Sequence, residues 1–482
     1  MHPTIISKVL GLLLMLFSLT MVPPIFVSLF YNDGAYPGFI IALTITFFSG
    51  ALIWLPVYHA KQNLRTRDGF LITSLFWSVL GLFGALPFFF AKATDLGVAD
   101  AVFESLSGLT TTGATVLTQL DQLPKSLLYY RQQLQWFGGI GIIVIAVAVL
   151  PMLGIGGMQL YRAETPGPVK DSKLTPRITE TAKALFTIYV ALTLACAGAY
   201  WLAGMSLFDA IGHAFSTVAI GGFSTHDASI GYFDSVPIMV VCIIFMALSG
   251  VNFALHFFAW KAKDVRHYLL DPECKFYFTM MAIGIVVTVF YLYTQHVYGF
   301  SQSLLKGTFE LVSILTTTGF GVADFSIWPS FLPFFIFMFA FMGGCAGSTG
   351  GGIKMMRALL LVKQGLREVQ RLIHPNAVIP MKIGQKTVPH RVIESVWGFF
   401  AMYLIAYVVM ALILIGTGLD FTTAFTAVGA CLNNLGPGLG GVAMHYGDIS
   451  DSAKWVLCFA MLLGRLEVFT LLVLFTPMFW RD

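Results

Sequence analysis

The stretch 314–325, ILTTTGFGVADF, puts three threonines and two glycines at the end of an apolar run. In hydrocarbon an unpaired backbone amide or carbonyl is costly, so residues that disfavour helix stand there only against protein or a watery cavity. Composition places the stretch in lipid. Of 482 residues, 57% are hydrophobic and 11% charged, with a mean hydropathy of +0.81, a balance foreign to soluble domains. The chain reads as an all-α polytopic membrane protein. SLLKGTFELVSIL (303–315) is then a helix that crosses about half a bilayer before the chain turns back.

Three further segments align with this one, without gaps, on a single glycine. They are DAVFESLSGLTTTGAT on Gly113, DAIGHAFSTVAIGGFS on Gly222, KGTFELVSILTTTGFG on Gly319 and TAFTAVGACLNNLGPG on Gly436. Small residues recur twelve positions before the glycine (Ala101, Ala210, Gly307, Ala424) and six before it (Ser107, Ser216, Ser313, Ala430). The glycines are 109, 97 and 117 residues apart, and a long apolar segment flanks each on either side. Such internal repetition is the signature of an architecture assembled from copies. The expected plan is two leading helices over residues 1–68, then four units of helix, pore loop and helix over 69–182, 183–274, 275–390 and 391–482.

Hydropathy places membrane helices at about 9–31, 38–58, 70–91, 134–161, 183–204, 236–260, 276–298, 329–353, 393–417 and 455–480. On that topology 22 of the 28 Lys and Arg fall on one side and 5 on the other, with Arg465 left inside a helix. The positive-inside rule makes the rich side cytoplasmic, with both termini on it. The net charge of +4 is therefore a topological signal and implies no nucleic-acid partner. The six cysteines are scattered with no metal-ligand spacing, and the first apolar run is too long, and lacks the cleavage site, for a signal peptide.

Four loops meeting at one axis have the physics of a cation filter. Backbone carbonyls replace an ion's hydration shell without a permanent charge that would trap it, and glycine lets successive carbonyls turn the same way because it tolerates positive φ. Threonine hydroxyls at 110–112 and 316–318 add oxygens and hold the loop. Glu104, His213 and Glu310, nine residues before their glycines, either attract cations or form buried hydrogen bonds behind the loops.

The loops TTTGAT, AIGGFST, TTTGFG and NNLGPG, with GGCAGSTGGGIK (343–354) and GRLE (464–467), resemble the TrkH family, the potassium-translocating subunits of bacterial Trk uptake systems within the Trk/Ktr/HKT superfamily. The resemblance spans essentially the whole chain. It implies a pseudo-fourfold, potassium-channel-like pore, potassium at the filter, a homodimer in the bacterial inner membrane, and a TrkA-type cytoplasmic ring that binds nucleotide, with no organic cofactor in this chain. It assigns the filter to Thr111, Thr112, Gly113, Ile220, Gly221, Gly222, Thr317, Thr318, Gly319, Asn434, Leu435 and Gly436. In related plant transporters serine at the first filter glycine accompanies sodium transport; glycine in all four loops here favours potassium. Ala114, Phe223, Phe320 and Pro437 follow the glycines, so the ring is not fourfold equivalent.

The glycine-rich stretch 343–353 interrupts the second helix of the third unit below the filter. Gly343, Gly344, Gly347, Ser348, Thr349, Gly350, Gly351 and Gly352 read either as a gating plug, which the resemblance supports, or as a close-packed bend. Arg465 lies 29 residues past Gly436, as Ser348 does past Gly319, so the two are expected at similar depth. Arg465 either faces the cavity, held by loop carbonyls, or forms a salt bridge with another unit; Glu467 is on the wrong helix face to be its partner. Residues 162–183 and 354–391 are charged and suit either docking of a cytoplasmic regulator or plain connection. GPGLGG (436–441) lacks the preceding strand of a dinucleotide site, and GSTGGGIK (347–354) misses the phosphate-loop spacing. No nucleophile and base set marks an enzyme. The expected function is potassium uptake through a gated pore; the alternative is a proton- or sodium-coupled alternating-access symporter.

Overall fold

The computed structural model describes residues 1–60, 66–139, 141 and 178–481. Most of the helix expected at 134–161 and of the 162–183 surface lies outside them. The described part is helical apart from one two-stranded ribbon, Lys382–Ile383 against Lys386–Thr387. Six of its helical segments are long and apolar enough to cross a membrane, and eight if two bent pairs each count as one span.

The leading helices are α1 (Pro3–Ser18), continued through a tight turn by α2 (Val22–Tyr31), and α3 (Tyr36–Trp54). They pack closely where Gly11 and Gly50 face each other: a Cβ on either would come within 2.7 Å of the other's carbonyl. Four times thereafter a long helix leads into a shorter, mostly buried one. These pairs are α4 (Thr66–Gly84) with α5 (Val98–Leu109), α7 (Ile178–Leu202) with α8 (Leu207–Val218), α11 (Pro272–Thr294) with α12 (Phe300–Leu315), and α15 (His390–Gly416) with α16 (Phe421–Leu432). After each short helix the chain turns and runs into a further helix: α6 (Lys125–Gly139), α9 (Val236–Ser249), α13 (Leu332–Met342) and α17 (Asp451–Arg465), with α14 (Met355–Ile373) between α13 and α15.

Local chemistry explains the boundaries. Ser206, Asp420 and Ser450 cap α8, α16 and α17 by accepting backbone N–H bonds at 3.1–3.3 Å, and Asp271 caps α11 at 2.8 Å. The long helices leave large apolar side chains outside, such as Val286 and Phe290 on α11 and Leu412 on α15. A continuous apolar exterior of this kind faces lipid.

Two expected spans are not continuous. The helix expected at 236–260 breaks after Ser249 and bends by 96° into α10 (Phe253–Ala262), because Asn252 starts a new helix by accepting the Ala254 N–H at 2.8 Å. The one expected at 455–480 ends at Arg465 and bends by 109°, since Glu467 and Val468 both take left-handed φ of 52°. The span expected at 329–353 is the 11-residue α13, stopped by Gly343 at φ 67°. The inner helix of the first unit begins at Lys125, well before the expected 134. Lys454 and Arg131, counted as outward-side charges, are buried within helices, Lys454 on Asp100 at 2.6 Å and Arg131 on Glu104 at 2.7 Å.

Candidate functional site

Each short helix ends in the same way. The amide one residue before the ring glycine donates to the carbonyl five residues back at 2.8 Å in all four copies: Thr112 to Ser107, Gly221 to Ser216, Thr318 to Ser313, Leu435 to Ala430. The preceding residue, Thr111, Ile220, Thr317 or Asn434, has φ between 53° and 63°. This is a helix C-cap whose left-handed position is filled by residues with a Cβ, an arrangement that stores strain and concentrates at functional sites. Gly113, Gly222, Gly319 and Gly436 follow two residues later, with φ of 80°, 77°, 84° and 100°. The helix stop falls two residues before the glycine and leaves the glycine for a second task.

That task is closure of a ring. A Cβ on Gly113 would overlap the Gly221 carbonyl, one on Gly222 the Thr318 carbonyl, and one on Gly319 the Leu435 carbonyl; one on Gly436 would stand 2.7 Å from the Thr112 carbonyl. Each loop thus presses its glycine on the carbonyl of the next, in the order one, two, three, four and back to one. The twelve residues expected at the filter are brought together. A cavity of about 360 Å³ opens over them, walled by all four glycines and by Arg131, His226 and Glu310.

The groups nine residues before the glycines point to the segments behind the ring. Glu104 accepts the Val116 N–H at 3.0 Å and pairs with Arg131. Glu310 accepts the Val322 and Ala323 amides at 2.7 and 3.0 Å. His213 donates from Nδ1 to the Asp209 carbonyl and meets the Ser224 hydroxyl through Nε2, both at 2.9 Å. In the fourth copy the matching residue is Ala427, and the neighbouring Thr426 does the bonding, accepting the Leu439 N–H at 2.8 Å. Of the two roles open in sequence, the geometry is that of loop supports.

Directly against the short-helix ends lies the stretch 343–354. The Gly351 N–H donates to the Thr317 hydroxyl at 2.7 Å, the Gly352 N–H to the Asn433 carbonyl at 3.0 Å, and the Thr349 hydroxyl to the Val218 carbonyl at 3.0 Å. Gly351 has no room for a side chain, since a Cβ there would overlap the Asn433 carbonyl. The Cys345 N–H donates to the Gly250 carbonyl and the Gly347 carbonyl accepts from Phe253, at 2.8 and 3.1 Å, while the Ser348 hydroxyl stays within the loop on the Cys345 carbonyl. Gly343 and Gly344 begin the stretch where α13 stops, and the Met355 N–H returns to the Gly344 carbonyl at 3.0 Å.

Arg465 completes the layer. Its guanidinium donates to the Thr111 hydroxyl at 3.2 Å, the Thr349 carbonyl at 3.3 Å, the Gly139 carbonyl at 3.4 Å, and the Gly138 carbonyl. It is held by carbonyls, beside Thr349 and at the level of the stretch. Glu467 pairs with Arg357 instead.

Sequence reasoning passes over three groups. Glu273, at the start of α11, accepts the Ala346 N–H at 2.6 Å and the Met356 N–H at 3.0 Å, tying the glycine-rich stretch to the first turn of the helix that follows it. Tyr446 donates to the Gly436 carbonyl at 2.7 Å. Gln135 reaches from α6 into the second loop. No repeat pattern marks Glu273 or Tyr446; three glutamines in QQLQ (132–135) within an apolar protein are a usable signal.

Residues 36–482 match the family model TrkH, described as a cation transport protein. The chain is 60% identical over 476 residues to the Trk system potassium uptake protein TrkH of Halomonas elongata, with 99% of each chain covered. It is 53% identical over 483 residues to the protein of that name from Escherichia coli, with 100% of each covered. Its structure is similar to the crystal structure of the potassium transporter TrkH from Vibrio parahaemolyticus, with a TM-score of 0.91, 52% identity and complete coverage of both chains.

Proposed function

The chain belongs to the TrkH family of cation transport proteins, which are transporters and not enzymes, and from that premise we propose that it carries potassium into a bacterial cell through a pore formed by its own four loops. The ring carries the proposal: each glycine lies against the neighbouring loop's carbonyl, so four strained loops are tied into one aperture with carbonyl oxygens at hand. Those oxygens take the place of the ion's water. The filter is Thr111–Gly113, Ile220–Gly222, Thr317–Gly319 and Asn434–Gly436, in a pseudo-fourfold, potassium-channel-like arrangement of the four units that follow residues 1–68.

Beneath it, Gly343–Ile353 and Arg465 form the closed gate. The support is their contact with three short-helix ends and with Thr111, which leaves an ion no exit until they move. Opening requires something that binds the two gate positions differently. That role falls to a cytoplasmic TrkA-type nucleotide-binding ring docking near 162–183 and 354–391, since Lys354 follows the gate directly. The Trk system names of the relatives support such a partner. The homodimer, the inner-membrane location and the cytoplasmic termini follow from the family and the charge distribution.

The test is potassium-limited growth of a transport-deficient bacterial host expressing the chain, alone and with a regulatory subunit. Rescue that requires potassium and is enhanced by the subunit is expected. No rescue from protein that reaches the membrane overturns the proposal.

A further inference from the structure

The residues just before the ring glycines are Thr112, Gly221, Thr318 and Leu435. Thr112 uses its hydroxyl on Thr110 at 2.8 Å and receives the Asn434 amide at 3.0 Å; Thr318 bonds Thr316 at 2.7 Å; Leu435 is fully buried. Gly221 alone leaves the place behind its loop unfilled. Its backbone is not left-handed, unlike that of Gly222, so the turn does not call for glycine.

What calls for it is Gln135. A Cβ on Gly221 would overlap the amide group of that side chain. From α6, Gln135 donates through Nε2 to the Gly221 carbonyl at 2.6 Å and accepts the Phe223 N–H through Oε1 at 3.0 Å. Gln132 donates to the Phe223 carbonyl at 3.2 Å, and Arg131 to the Ser224 carbonyl at 3.0 Å. One helix of the first unit thus grips three residues of the second unit's loop, Gly221, Phe223 and Ser224. At the place matching Gln135, 22 residues past the glycine, the other units carry Ile244, Phe341 and Cys458, none of which presents an amide.

We propose that Gln135 is a selectivity-determining positioning residue: its amide stands in for the side chain that Gly221 lacks and fixes the Gly221 carbonyl in the ring. The inference rests on the filter reading above. It adds that the second loop is shaped from outside its own unit, and that the Gly221 carbonyl, shared with an amide donor, offers an ion less than the other three. The asymmetry of the aperture is then built in by a matched pair, amide on the helix and glycine in the loop.

The experiment measures potassium and sodium flux into liposomes holding the full chain. In Gln135→Ala the potassium-to-sodium ratio is expected to fall by roughly three- to tenfold, the scale of a lost hydrogen bond. Gln135→Glu keeps the shape and the acceptor but not the donor, and should lower the ratio too, which covers failure of the alanine variant to insert. Gly221→Thr alone should impair transport through collision with Gln135. Combined with Gln135→Ala it restores the threonine pattern of the first and third loops and should recover much of the ratio. Gly319→Ser, remote from Gln135 in sequence and in a different loop, tests the filter itself. An unchanged ratio in both Gln135 variants, or loss of flux at constant ratio, overturns the role of Gln135 when Gly319→Ser does alter selectivity. If Gly319→Ser also leaves the ratio unchanged, the filter reading fails and this inference with it.

Discussion

Arg465 donates to the Thr349 carbonyl at 3.3 Å, so the last residue of α17 is fastened to the glycine-rich stretch that follows α13. The same guanidinium reaches Thr111, Gly138 and Gly139, and through these contacts the stretch is tied to the first unit as well as the fourth. Charge-assisted hydrogen bonds contribute about 1.5–3 kcal/mol each when their loss leaves partners unmet.

Arg465→Ala should therefore shift the balance from closed to open by about 2 kcal/mol, roughly thirtyfold. Potassium flux into liposomes without any partner is the measurement, and a rise is expected. Deleting Gly350 to Gly352 should act in the same direction. Equal or lower flux from correctly inserted protein would show these residues to be packing elements.

Gly113→Ser and Gly319→Ser should each weaken discrimination of potassium from sodium. At both positions a Cβ would overlap the neighbouring loop's carbonyl, and both have left-handed φ, so the carbonyl must shift by a sizeable part of an ångström. Competition of sodium with rubidium uptake reads the change. Normal ratios in both, at normal membrane levels, contradict the filter assignment.

Glu273→Gln keeps the oxygen that accepts from Ala346 and Met356 but removes its charge, and Glu273→Ala removes the acceptor. Basal leak should rise in the order wild type, Gln, Ala, with the alanine change worth about 1–3 kcal/mol on the gate. Accessibility of a cysteine placed at Ser348 to a cytoplasmic thiol reagent should rise in the same order; a reversed order would remove Glu273 from the gate.

The outer-loop residue His226 stacks on Tyr232 at 3.5 Å between ring centres and faces Asp209 at 3.6 Å and Asp121. Partial burial disfavours its charged form, but the two carboxylates beside it, Asp209 and the hydrogen-bonded Asp121, outweigh that and raise its pKa above the ordinary value. A raised folded-state pKa contributes stability that is full below the unfolded value of about 6.5 and lost as pH climbs through the raised one. Thermal stability of the purified protein should therefore decline above about pH 6.5 less steeply in His226→Gln than in wild type. Parallel curves would count against the coupling.

The sequence reveals much of this architecture because the four loops repeat: the common glycine and the small residues six and twelve before it mark four copies whose helix ends take one backbone form. Hydropathy finds the long helices for the same reason, since lipid demands long apolar runs. It overlooks the two sharp bends because Ser249–Asn252 and Arg465–Val468 sit in apolar context, where hydropathy registers neither the helix start capped by Asn252 nor the positive φ of Glu467 and Val468. The side chains that make one copy differ from another are harder to read. Gln135, Glu273 and Tyr446 act on residues 86, 73 and 10 positions away, and only the assembled fold brings these partners together. Arg131 and Lys454, read as surface charges, are inside because each finds an acid that the sequence places 27 or more residues distant.

The common C-terminal ends of the four short helices have an electrical meaning. A helix C-terminus carries about half a negative elementary charge, and contacts with Val218, Asn433, Thr317 and Thr111 gather all four ends around one small volume. That volume attracts a positive charge strongly, and the charge it holds is Arg465. On the gating proposed above, the guanidinium behaves as a tethered counterfeit of the travelling ion, taking the carbonyls and hydroxyl that a cation below the ring would use. Shutting the passage and welcoming an ion into it then draw on the same field, and the two occupants exclude one another.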